Sequence, residues 1–224
     1  MVLRKEDIKE ILTFGLPLLP HALAAWVVFS LNKIFIANRV GMEEAGLYSL
    51  AYQISMSISI FASSFNKAWA PYLFRVLKDD SEREKIKVVK ITYFYIIFIH
   101  LLCVMLYLCS PLLLNLFFNP SYYGSLKYIP WISFGLAANG VYLMVTNYIF
   151  YVKKTYFLTY STIFSALLHI TLNYCVVDTY GALGCAISMM VSFYVYFLLV
   201  FIIAQRLNPM PWLFWRRKRV IEYA

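Results

Sequence analysis

Few residues in this sequence combine chemical reactivity with an apolar setting. His21, His100 and His169 lie inside long uncharged stretches, and the pairs Asn32-Lys33 and Asn66-Lys67 sit at the ends of two others, with Asn173 inside a fifth. An ionisable group in hydrocarbon is costly and is by default a functional candidate. His21 directly follows Pro20 and lies four residues after Pro17. Prolines remove helix hydrogen bonds and free backbone carbonyls. His21 is therefore either a substrate or proton site in a broken helix, or a neutral, hydrogen-bonded histidine packed against a kink. His100 and His169 lack such a context and read as packed histidines. Lys33 and Lys67 can each snorkel to an interface. Taken together with Asn32, Asn66 and Asn173, they could instead line a cavity whose cations and amides suit a phosphate or diphosphate. Tyr48 and Tyr52, with Tyr142, Tyr148 and Tyr151, could stack on sugar rings or simply fill a core and an interfacial belt.

Other chemistries find no support. The sequence has no GxSxG, Walker or HExxH motif and no nucleophile-base arrangement, so an enzyme is not expected. Cys103, Cys109, Cys175 and Cys185 fall in apolar runs without a CxxC pair. They read as small buried hydrophobes, with neither a metal site nor a disulfide framework. No cofactor is expected.

The elements that must position these residues are membrane helices. Of 224 residues, 62% are hydrophobic and 14% charged, with mean hydropathy +0.69. An ordinary soluble domain is about 25% charged. Six stretches, residues 11–31, 47–65, 91–118, 129–152, 155–177 and 181–204, contain no Asp, Glu, Lys or Arg. Each is long enough to cross about 30 Å of hydrocarbon as a helix. The first resembles a secretory signal, but its apolar run is too long for a signal core. The expected fold is therefore an all-α, polytopic integral membrane protein with six transmembrane helices.

The net charge of +9 reflects loop placement. Alternating sides span by span, 17 of the 20 Lys and Arg residues fall on one side, and only Lys33, Arg39 and Lys127 on the other. Basic loops stay in the cytoplasm, so both termini are expected there. Residues 1–10 form an amphipathic cytoplasmic N-terminus, residues 11–204 the six-helix unit, and residues 205–224 a basic cytoplasmic tail. In that tail Trp212 and Trp215 precede Arg216-Arg217-Lys218-Arg219, a pairing suited to anionic lipid heads. The segment Lys78-Asp79-Asp80-Ser81-Glu82-Arg83-Glu84-Lys85 reads as a solvated helix extension.

Several motifs carry a family resemblance. They are Phe14-Gly15-Leu16-Pro17-Leu18-Leu19-Pro20-His21 with Trp26, and Glu44-Ala45-Gly46-Leu47-Tyr48-Ser49-Leu50-Ala51-Tyr52. Further along come Phe65-Asn66-Lys67-Ala68-Trp69-Ala70-Pro71 and Lys127-Tyr128-Ile129-Pro130-Trp131. The last are Asn147-Tyr148-Ile149-Phe150-Tyr151 with Lys153-Lys154-Thr155, and Leu172-Asn173-Tyr174 with Tyr180-Gly181-Ala182-Leu183-Gly184. In this order, from about residue 10 to residue 204, they resemble the C-terminal half of the Wzx-type flippases. These are the O-antigen and capsule repeat-unit translocases of bacterial polysaccharide biosynthesis, in the multidrug/oligosaccharidyl-lipid/polysaccharide exporter superfamily. Asn32 stands where the family usually has an Asp before the basic residue.

The resemblance implies one six-helix lobe of a two-lobe, alternating-access transporter. Its substrate would be an undecaprenyl-diphosphate-linked oligosaccharide, bound through Lys33, Asn66, Lys67, His21, Asn32, Tyr48, Tyr52 and Asn173. The bacterial cytoplasmic membrane is implied, with H⁺ or Na⁺ as coupling ion and a second lobe as partner, either a missing N-terminal half or a second copy. No nucleic-acid partner is implied. A cation-coupled multidrug antiporter of the same superfamily is the alternative, although it needs an intramembrane carboxylate and the six stretches have none. A non-transporting half-protein or partner subunit is a further alternative.

Overall fold

The computed structural model describes Gly15 and residues 18–213, with the side chains of residues 18, 20, 21 and 24–29 outside that description. The described residues form helices and no strand: α1 (Leu18–Arg39), α2 (Met42–Asp79), α3 (Glu82–Phe117), a 3-10 helix (Pro120–Lys127), α4 (Ile129–Tyr151) and α5 (Tyr156–Leu207). Among them α3, α4 and α5 are long and apolar enough to cross a membrane. The chain is an all-α, polytopic membrane protein. The expected N-terminal segment 1–10 and the basic run 216–219 lie outside the described residues.

The helices differ from the apolar stretches in instructive ways. α5 has 52 residues, about 78 Å if straight and more than twice the hydrocarbon thickness. Gly181 divides it, with φ 57° and ψ −144°, a combination that only glycine adopts without strain. The stretches 155–177 and 181–204 are thus two helices meeting at one residue, and Val40 packs over the break, its Cγ1 3.7 Å from where a Gly181 Cβ would stand. α2 runs 14 residues past the end of its apolar stretch at Phe65. Trp69, Leu73, Val76 and Leu77 keep the three- and four-residue spacing on its buried face. It ends at Asp80 in the left-handed conformation, whose amide donates to the Val76 carbonyl.

α4 forms the centre. Ile129, Ile132, Leu136, Ala137, Val141, Met144, Val145 and Ile149 are buried among α2, α3 and α5. Small residues allow this, because without a hydrophobic drive between helices in lipid, close backbone approach supplies the attraction. Gly140 shows the constraint most sharply: a Cβ there would lie 2.7 Å from Ile99 Cδ1 and 2.8 Å from Ala62 Cβ.

The bundle has two ends. One, the rim, gathers the α1–α2 turn, the 3-10 helix and the Gly181 break. The other, the base, gathers the α2–α3 turn, the α4–α5 loop and the end of α5. At the base, residues 208–213 fold back as a strap. Gln205 Oε1 accepts from the Met210 amide at 3.0 Å and from Trp212 Nε1 at 2.7 Å, and the Tyr93 hydroxyl of α3 donates to the Trp212 carbonyl at 3.0 Å.

Candidate functional site

Two ion pairs fasten the rim. Arg39, at the end of α1, donates to Asp178 of α5 at 3.2 Å and lies over the Tyr174 ring. Lys127 donates to Glu44 of α2 at 3.0 Å, and the Tyr128 hydroxyl donates to the same carboxylate. Partial burial pushes the Glu44 pKa up, but the hydrogen bonds from Tyr128 and Lys127 and the Lys127 charge outweigh it and hold the carboxyl below its ordinary value.

Lys33 differs from these rim cations. Its ammonium lies 5.3 Å from the centre of the Tyr52 ring, a cation–π contact, and it has no carboxylate within ion-pairing distance among the described residues. Lys33 and Tyr52 are both half-buried. Beside them Asn32, buried, donates to the Tyr48 hydroxyl at 2.6 Å and to the Cys185 carbonyl at 3.2 Å. The Tyr48 hydroxyl donates in turn towards Met189 Sδ at 3.5 Å. Asn32 Oδ1 has no hydrogen-bond partner among the described residues although it is buried. The structure therefore brings Asn32, Lys33, Tyr48 and Tyr52 together, with Tyr48 held in the core and Tyr52 at its edge.

The other expected site residues stand elsewhere. Asn66 and Lys67 lie on α2 towards the base. Asn66 Oδ1 accepts from Asn147 of α4 at 2.7 Å, while Lys67 is exposed. From Tyr52 to Lys67 is 15 residues of helix, about 22 Å of rise. Lys33 and Lys67 therefore do not meet at one point, and a diphosphate does not reach both. Asn173 is buried between the two halves of α5, where it donates to the His169 carbonyl at 2.9 Å and faces the imidazole. The His21 side chain lies outside the described residues.

Sequence reasoning missed the cluster around Asn173. His169 Nδ1 stands 3.3 Å from Ser192 Oγ, and Ser192 donates to the Ser188 carbonyl at 2.7 Å. The i, i+4 spacing of His169 and Asn173 already placed both on one helix face. His100 is held by Ile96 O at 2.7 Å and the Tyr194 hydroxyl at 2.6 Å. Because a carbonyl only accepts, Nδ1 carries a proton and donates it to Ile96 O. That arrangement fits a packed histidine. Among the described residues no group of three His, Cys, Asp or Glu side chains could hold a metal ion.

The flank of α2 facing away from the core carries polar side chains interleaved with the exposed Met56 and Ile60. Gln53, Ser57, Ser63, Ser64 and Lys67 are all exposed. Between Tyr52 and Lys67 the helix turns through four full turns and about 60° more, so the two residues share this flank.

Residues 1–77 match the model of a family described as "Polysaccharide biosynthesis protein". The chain is similar to "Lsg locus putative protein 1" of Haemophilus influenzae, 26% identical over 164 residues, covering 71% of this chain and 40% of that protein. It is also similar to an "Uncharacterized membrane protein" of Haemophilus influenzae, 26% identical over 160 residues, covering 71% of this chain and 39% of that protein. The chain spans about two fifths of the length of the curated relatives it matches.

Proposed function

We propose that this chain is one six-helix lobe of a transporter that flips an undecaprenyl-diphosphate-linked oligosaccharide across the bacterial cytoplasmic membrane for surface polysaccharide assembly. The observation that carries the reading is the exposed flank of α2: Lys67 at one end, Lys33 over Tyr52 at the other, and the Gln53 amide and serine hydroxyls between them beside Met56 and Ile60. Such a surface recognises a polar, negatively charged headgroup through charge-assisted hydrogen bonds. No carboxylate lies in any of the six apolar stretches to compete for it. The similarity to a polysaccharide biosynthesis family supports the pathway.

In this reading the rim faces outwards and the base faces the cytoplasm, as the distribution of Lys and Arg favours. All six stretches cross, and both termini lie inside. The α2 flank faces a second lobe, because in hydrocarbon the Lys67 ammonium and the Gln53 amide would each cost on the order of several kcal/mol. Transport proceeds by rocking between inward-open and outward-open states, coupled to H⁺ or Na⁺, with no covalent step. Replacing Lys67 by Ala is expected to lower surface polysaccharide at unchanged protein level. Unaltered polysaccharide would remove Lys67 from the site.

A further inference from the structure

Rim cations would serve a diphosphate only if their charge were available. Arg39 and Lys127 are neutralised by Asp178 and Glu44. Lys33 is not: the residue before it is the neutral amide Asn32, and its contact is the Tyr52 ring. An aromatic face orients an ammonium without cancelling its charge. At the other end of the flank Lys67 is exposed and also has no carboxylate within ion-pairing distance among the described residues.

Lys33, on α1 over the Tyr52 ring, and Lys67 stand at the two ends of this side of α2, and Tyr52 and Lys67 are about 22 Å apart along the helix axis. A diphosphate spans only a few ångströms and cannot hold both at once. Gln53 and Ser64 line the same exposed flank between them, together with Met56, Ile60 and two serines, Ser57 and Ser63, whose hydroxyls donate to the Ile54 and Ile60 carbonyls.

Resting on the transport reading above, we infer that Lys67 and Lys33 are two successive stations for the diphosphate headgroup. Lys67 accepts it from the cytoplasmic side, and Lys33 receives it after the rocking step and releases it at the rim. The stations have different kinetic roles. The loading station sets how tightly the substrate is captured. The release station sets how fast a captured headgroup leaves the inner site, because it stabilises the headgroup only late in the crossing. Tyr52 positions the Lys33 ammonium towards the flank and does not itself bind the headgroup.

Inverted membrane vesicles from cells producing the protein expose the base to added probe. The probe is undecaprenyl diphosphate bearing one fluorescent N-acetylhexosamine, and transfer is read as protection from a membrane-impermeant reductant. At matched protein level, K67A is expected to raise KM by about ten- to a hundredfold, the value of one charge-assisted contact, with the maximal rate largely kept. K33A is expected to keep KM and lower the maximal rate at least tenfold, and K33R is expected to restore it. If K33A raises KM as K67A does, or leaves the rate unchanged, the two-station order is overturned while the transport reading stands. If unmodified vesicles protect no probe at all, the transport reading itself fails, and the order falls with it.

Discussion

Asn32 of α1 and Tyr48 of α2 are joined by a buried hydrogen bond of 2.6 Å, and the same amide reaches the Cys185 carbonyl of α5. One neutral side chain thus ties three helices together where the neighbouring lysine has no carboxylate partner among the described residues. Such interhelical bonds in membranes contribute about 0.6 kcal/mol on average and about 1.7 at most. Y48F is expected to lower the thermal midpoint in detergent. Y52F, whose ring supports Lys33 from the bundle edge, is expected to leave the midpoint unchanged. Equal losses would show that the Tyr48 hydroxyl contributes nothing specific.

Gly140 sets the distance between α4 and its neighbours. An alanine there would place Cβ within 2.8 Å of Ala62 Cβ and 2.7 Å of Ile99 Cδ1. Overpacking of this kind costs about 1–3 kcal/mol. G140A is expected to reduce the folded yield in membranes, and the partner change A62G is expected to recover part of it. Recovery fails if α4 can shift bodily to make room.

Gly181 carries a backbone conformation that other residues rarely adopt, at φ 57° and ψ −144°. G181A is expected to destabilise by about 1–3 kcal/mol, although a methyl group there would have room, its nearest neighbour being Val40 Cγ1 at 3.7 Å. A thermal midpoint equal to that of the unmodified protein would show that the joint can adopt helical angles without loss.

Glu44 predicts a pH dependence with a definite sign. Its carboxyl sits below the ordinary value of 4.5 because the Tyr128 and Lys127 contacts favour the charged form over the opposing effect of burial. The unfolded chain binds this proton more readily than the folded one, so the stabilisation is fully present above pH 4.5 and is lost as pH falls through the lowered folded value. The thermal midpoint is therefore expected to fall on acidification below pH 4.5, and E44Q is expected to show a lower midpoint at neutral pH with a flatter acid limb. An acid limb unchanged in E44Q would assign the dependence to other carboxylates.

Much of the architecture was readable from residue types alone. From residue 18 on, the apolar stretches coincide closely with described helices, of which α3, α4 and α5 are long and apolar enough to cross a membrane. Helix limits were less readable: α2 continues to Asp79 because Trp69, Leu73, Val76 and Leu77 maintain its buried face beyond the apolar run. The candidate site was legible in composition and misleading in arrangement. Lys33 and Lys67 end consecutive antiparallel stretches, so their placement at opposite ends already followed from topology. The Tyr52 contact with Lys33 depends on how α1 packs against α2, which no local pattern records. Asn173 looked like a cavity residue, yet its amide bonds the His169 carbonyl one turn back on the same helix, and packing buries that face.

The strap at the base couples parts that are distant in the chain. Gln205 grips Trp212, and the Trp212 carbonyl takes the Tyr93 hydroxyl. Any tilt of the end of α5 away from α3 must therefore strain the bond between Tyr93 and the Trp212 carbonyl. Spectroscopic labels on α3 and on the last turns of α5 are therefore expected to keep a constant spacing, which Y93F would loosen.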